Sequence, residues 1–206
     1  MSRLSSLAAL ALVGAAPLSL TACSSGEPGD PGAGTEELIT RVEITLTNTA
    51  DAQDAVTIVA SDPDGDGEGV TYSPASISLR RGATYDGTIR LRDTVNDEDI
   101  TEEVEAEAEE HRFAYLLDPA SAGSITLTDR ESDYGSEDEN GGDFVVGLTF
   151  RLAVASGASG DGVLNARLYH FDDTPKTSSI STSDEIDVDL DFPVAFVATP
   201  VARVAL

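Results

Sequence analysis

The 206-residue chain contains one cysteine, two histidines and one lysine, and these scarcities set limits on its chemistry. A lone cysteine leaves no internal disulfide to hold the fold together. Lys176 and eleven arginines stand against 38 acidic residues, 22 of them aspartate, for a formal net charge of −26. No basic stripe exists, which excludes nucleic acid as a partner, since such binding rests on neutralising phosphates with clustered Lys and Arg. No apolar run reaches the roughly 20 residues a membrane-spanning helix needs. Catalytic signatures are missing as well: there is no phosphate loop, no dinucleotide-binding glycine pattern and no HExxH. Gly157-Ala158-Ser159-Gly160-Asp161 has Asp where a nucleophile elbow needs its second glycine. A glycosidase pair could be drawn from 38 carboxylates in so many ways that their number carries no specificity. A non-enzymatic protein is expected. The acidity itself fits either a solvating surface, as in salt-adapted proteins, or the binding of cations and basic ligands.

The cysteine is informative by position. Leu20-Thr21-Ala22-Cys23-Ser24-Ser25-Gly26 follows an apolar stretch, Leu7 to Leu20, with Arg3 as the only charge ahead of it. This arrangement resembles the bacterial lipoprotein box, in which cleavage precedes a cysteine that is then acylated. Residues 1–22 are accordingly expected to be a signal peptide, Cys23 the lipidation site, and residues 23–37 a Gly-, Pro- and Ser-rich tether. Two or more acyl chains would hold the protein stably on a membrane. Ser24 is not the aspartate that favours inner-membrane retention in such proteins, so the expected location is the outer membrane, facing periplasm or cell surface.

Beyond the tether the hydrophobic period becomes two. Val42, Ile44 and Leu46 alternate with polar residues, and Val56 to Ala60 continues the pattern. Further strands are expected around Val70–Tyr72, Ile77–Leu79, Tyr85–Leu91 (with a gap at Gly87), Phe113–Leu117 and Ile125–Leu127. Phe144 to Val154 reads as one long strand, and Val163 to Phe171 as its hairpin partner across the Gly157–Gly162 turn. In the last strand Ile186, Val188, Leu190 and Phe192 alternate with Asp187, Asp189 and Asp191, which places three aspartates on a face toward water or cations. Pro193 cannot donate to a ladder and marks an edge or a bulge there. Asp99-Ile100-Thr101-Glu102 predicts the capped start of one short acidic helix with Ile100, Val104 and Ala108 as its apolar stripe. Residues 129–143 read as an acidic loop. The expectation is an all-β protein, an antiparallel, immunoglobulin-like β-sandwich of seven to nine strands over residues 38–197, with 198–206 as a C-terminal tail.

Two groups of residues could bind cations. Asp62-x-Asp64-x-Asp66-Gly67 resembles the first half of a calcium loop, but Ser73 stands where the bidentate Glu should be. Calcium on Asp62, Asp64 and Asp66 and an ordinary Asp-Gly turn both fit. The histidines end elements: His111 follows Glu109-Glu110, and His170 precedes Asp172 and Asp173. If the fold brings them together, His111, His170 and a carboxylate from Asp172 or Glu110 would suit Zn²⁺ or another transition ion. If not, each is a hydrogen-bonded rim histidine.

Several stretches together resemble a family of small Gram-negative lipoproteins often labelled "type 1 periplasmic-binding-fold superfamily protein" and often encoded beside TonB-dependent outer-membrane receptors. They are Glu37-Leu-Ile-Thr40, Asp62-Pro-Asp-Gly-Asp-Gly67, Thr84-Tyr-Asp-Gly-Thr-Ile89, Glu98-Asp-Ile-Thr-Glu-Glu103, Glu110-His-Arg-Phe113, Leu168-Tyr-His170 with Pro175-Lys176, and Asp184-Glu-Ile-Asp-Val188. The resemblance implies no defined activity, but it places His111 and His170 on recurrent positions and suggests a receptor as partner. Its label implies a two-lobed α/β fold, which the period-two pattern contradicts. The expected function is a membrane-anchored binding module that captures a metal ion or small ligand, or assists an uptake receptor. The competing expectation is a calcium-stabilised structural or adhesive surface domain.

Overall fold

The computed structural model describes residues 38–65, 67–136, 142–171 and 176–198. Ten strands and one helix follow in chain order: β1 (Arg41–Asn48), β2 (Ala55–Ser61), β3 (Thr71–Ser73), β4 (Ile77–Arg80), β5 (Thr84–Arg92), α1 (Ile100–Ala106), β6 (His111–Asp118), β7 (Gly123–Leu127), β8 (Thr149–Val154), β9 (Gly160–His170) and β10 (Glu185–Val197). They form an all-β sandwich of two sheets, ordered β3-β2-β1-β5-β8-β7 and β4-β10-β9-β6. All pairings are antiparallel except β4 with β10. The count exceeds the expected seven to nine by short strands, and β3 and β4, adjacent in sequence, lie in different sheets.

Period-two alternation builds the core. In β1 the residues Val42, Ile44 and Leu46 are buried while their neighbours are half-exposed. Ile44 lies between Ile58 of β2 and Ile89 of β5 on the same inner face. Each fully buried aliphatic side chain of this kind contributes roughly 1.5–3 kcal/mol. Gly87 has a specific role: it pairs with Phe150 of β8, and a Cβ there would lie 2.5 Å from the Phe150 ring. The gap in the β5 pattern is the space the ring occupies. Leu164, Ala166, Leu168, Val188, Phe192 and Val194 supply the facing layer from β9 and β10. Helix α1 starts where expected, with the Asp99 side chain accepting from the Thr101 amide. The buried Thr101 hydroxyl bonds the amide and carbonyl of Leu91, which fastens the helix to the end of β5.

Two strand expectations need correction. The Phe144–Val154 run alternates throughout, yet β8 begins only at Thr149. Gly147 adopts φ +93°, outside the extended region, and a Cβ there would lie 2.8 Å from Phe113. The Asp129 carboxylate takes the amides of Gly147, Leu148 and Thr149 at 2.9, 2.8 and 3.2 Å in place of a ladder. Val146 and Leu148 are therefore buried without being strand residues. Nor do β8 and β9 form a hairpin: β8 is flanked by β5 and β7 in one sheet, β9 by β6 and β10 in the other. Alternation identifies a strand's inner face but not its sheet. At Pro193 β10 has β9 on one side and begins pairing with β4 only at Val194, so the missing N–H falls where that side has no strand.

The acidic 129–143 segment is not simply solvating. Asp129 and Glu131 are buried. Glu131 Oε1 lies 2.7 Å from Lys176 Nζ with both side chains fully enclosed, and its Oε2 accepts from the Phe144 amide. The ammonium also donates to the carbonyls of Ala108 and His111 at 2.6 and 2.8 Å. Removing one partner of such a pair strands a buried charge. Lys176→Met should destabilise the domain by about 3–5 kcal/mol in urea unfolding. Arg151→Ala, which breaks the exposed pair with Asp86, should cost no more than about 1 kcal/mol.

Candidate metal centre

The two histidines meet because β6 begins and β9 ends at the same level. His111 is the direct cross-strand partner of His170. Their rings stack with centroids 4.4 Å apart at 27°. Both continue the inner faces of their strands at the rim of the core, after Leu168 in β9 and before Phe113 in β6.

The third member comes from β10. Its register against β9 shifts between Ile186 and Val188: Ile186 pairs with Tyr169 and Val188 with Leu168, leaving Asp187 as the extra residue of a bulge. A regular ladder would put Asp187 on the water-facing side with Asp189 and Asp191. The bulge instead turns its carboxylate onto the histidines and leaves Ile186 exposed. Asp187 Oδ1 lies 3.5 Å from His170 Nδ1, and Oδ2 lies 3.8 Å from His111 Nε2. The side chains of His111, His170 and Asp187 are 0%, 6% and 4% exposed. One ligand atom from each falls within 4.8 Å of the others, and no other such group of three occurs among the described residues.

The surroundings favour ligation by neutral imidazole. His111 Nδ1 lies 3.1 Å from the Glu107 carbonyl, an acceptor only, so Nδ1 carries the proton and Nε2 presents its lone pair toward Asp187. Burial pushes the His111 pKa down to about 4; His170 and Lys176 act in the same direction, against the Glu107 carbonyl and Asp187. The Lys176 ammonium fixes the His111 backbone through its carbonyl, and the Arg112 side chain ties the next residue to the carbonyls of Ser179 and Ser181. Two nitrogens and a carboxylate oxygen form a donor set for a borderline transition ion rather than a hard all-oxygen site.

Of the residues singled out from sequence, the fold joins His111 and His170. Glu110 is half-buried just before His111, where its carbonyl accepts from the Phe171 amide, but it is not part of the cluster. Asp62 is buried, and its Oδ2 accepts from the Gly67 amide, closing its own loop; Asp64 is exposed. Cys23, Asp66 and Asp172 lie outside the described residues, as do the expected signal peptide, the tether and residues 199–206. In the sequence Asp187 stood out as one of three aspartates on a face toward water or cations and within the family-like Asp184–Val188 stretch, but the regularity of its strand gave no sign that it turns onto the histidines. Lys176 was visible as the sole lysine, though nothing in its neighbours announced burial.

The low His111 pKa has a sign that can be tested. Between about pH 4 and 6.5 the unfolded imidazole binds a proton that the folded one refuses, so this group's contribution to stability falls as pH drops through that window. In chelator, urea unfolding of wild type and His111→Asn at a series of pH values should show the wild-type advantage shrinking from pH 7 to pH 4. A gap independent of pH would contradict it.

No protein-family profile and no curated protein matches the chain. Among solved structures, domains 5–6 of the S-layer protein SbsC align over 62% of this chain and 43% of their own length, at 14% identity and a TM-score of 0.30. The match spans less than half of that structure, and a likeness this distant carries no argument.

Proposed function

We propose that this protein is a lipid-anchored β-sandwich that holds a transition-metal ion between His111, His170 and Asp187 and works by binding rather than catalysis. The observation that carries the reading is the convergence of these three side chains, from three neighbouring strands, in a buried cluster. Buried polar groups are retained where something compensates them, and Asp187 Oδ2 accepts no hydrogen bond among the described residues. Three protein donors leave a fourth position open on an ion such as Zn²⁺. The enclosure of all three side chains suits retention of a captured ion more than rapid exchange. The described residues offer a calcium-stabilised module no converging group of this kind, and Asp66, the third acid of its loop, lies outside them.

Cys23 and the signal-like stretch before it support a module held on a membrane outside the cytoplasm; Ser24 favours the outer membrane, and the family resemblance points to a TonB-dependent uptake receptor as partner. No helix among the described residues is long and apolar enough to cross a membrane.

Calorimetric titration of the chelator-stripped full-length chain with Zn²⁺, Cu²⁺ and Ca²⁺ tests the reading. One equivalent of Zn²⁺ or Cu²⁺ should bind, with affinity lowered by more than about 100-fold in His111→Ala, His170→Ala and Asp187→Asn variants that keep the wild-type circular dichroism. A folded protein that ignores both ions would overturn it, and Ca²⁺ binding lost in Asp64→Ala would favour the structural module. Cys23→Ser should move the chain from the membrane to the soluble fraction.

A further inference from the structure

A second carboxylate is buried with one oxygen lacking a hydrogen-bond partner, and it faces a cavity that also reaches Asp187. Asp62 is 8% exposed. Its amide donates to the Thr40 carbonyl at 2.9 Å, and its Oδ2 accepts from the Gly67 amide at 2.7 Å, so the side chain is fixed. Oδ1 accepts no hydrogen bond among the described residues. Leaving a carboxylate oxygen buried and unsatisfied costs stability, and a cation would relieve that cost.

The cavity is small, about 60 Å³, and lies between β1, the loop after β2 and β10. It is lined by both Asp62 and Asp187, with Val42, Val70 and Leu190 among its apolar walls. Its volume holds one or two water molecules, which is too little for an organic ligand and enough for a largely dehydrated ion. Apolar walls lower the local dielectric and strengthen the pull of a fixed carboxylate on a cation. The His111–His170–Asp187 cluster is itself closed to solvent, so an ion needs some passage to reach it.

We infer that this cavity is the passage by which a divalent transition-metal cation enters and leaves the histidine cluster, with the Asp62 carboxylate as the charge it meets on the way. The inference rests on the metal-binding reading above and assigns Asp62 a role in rate rather than in affinity. A group that stabilises the ion in transit lowers the barrier in both directions and leaves the end states alone.

The test is kinetic. Full-length wild type and Asp62→Asn, both stripped with chelator, are mixed with Cu²⁺ in stopped flow; loading is followed by ligand-field absorption and release by transfer to excess EDTA. Asparagine keeps an acceptor for the Gly67 amide. Asp62→Asn should slow loading and release alike, each by about tenfold, with the equilibrium dissociation constant unchanged within about twofold. Raised ionic strength should slow wild-type loading and affect the variant less. Val70→Phe, which adds bulk to the cavity wall and alters no charge, should slow both directions too. Unchanged rates in Asp62→Asn would overturn the passage while the metal site stands. A weakened affinity with faster release would also overturn it, by making Asp62 a ligand. If wild type takes up no Cu²⁺ at all, the metal-binding reading fails, and this inference with it.

Discussion

A buried carboxylate must find a donor, and in a chain of net charge −26 that constraint shapes nearly everything. Asp129 meets it with three consecutive amides and the Tyr134 hydroxyl. Asp93 meets it with the amides of Val95 and Asn96. Glu131 takes the only lysine in the sequence and the Phe144 amide. These acids organise the segments that lack regular structure and connect them to the sandwich. Among the described residues Asp62 and Asp187 each keep a buried oxygen with neither a hydrogen bond nor a lysine or arginine partner, and both line one cavity. Such local departures from an otherwise satisfied interior are where a binding role is best sought.

The sandwich itself was legible because its strands obey a period of two and its helix announces itself with Asp99 and a spaced apolar stripe. What alternation could not convey was partnership. It gave β8 and β9 correct inner faces and a hairpin they do not form, since residues 155–159 cross between sheets instead of reversing within one. It also ran past Gly147, where a positive φ and a cluster of amides on Asp129 interrupt the strand without disturbing the hydrophobic spacing.

The same limitation governed the site. His111 and His170 stood out as the only histidines, and their meeting depends on a β6–β9 register written in no local motif. Asp187 was harder still. One inserted residue reverses the direction of every side chain beyond it, so a bulge can move a residue from a solvent face to an interior without changing the apparent pattern. The perfect alternation from Ile186 to Phe192 pointed Asp187 outward; the bulge turned it in.

Enclosure of Lys176 has a practical side. With its single ε-amine fully buried against Glu131, the folded protein offers amine-directed reagents no lysine to modify. If Cys23 is the first residue and its α-amine is itself N-acylated, that amine is closed to them as well. Labelling, surface immobilisation and cross-linking to partners must then go through carboxylates or an introduced thiol. A partner captured by lysine chemistry would be attached through its own lysines to nothing on this side.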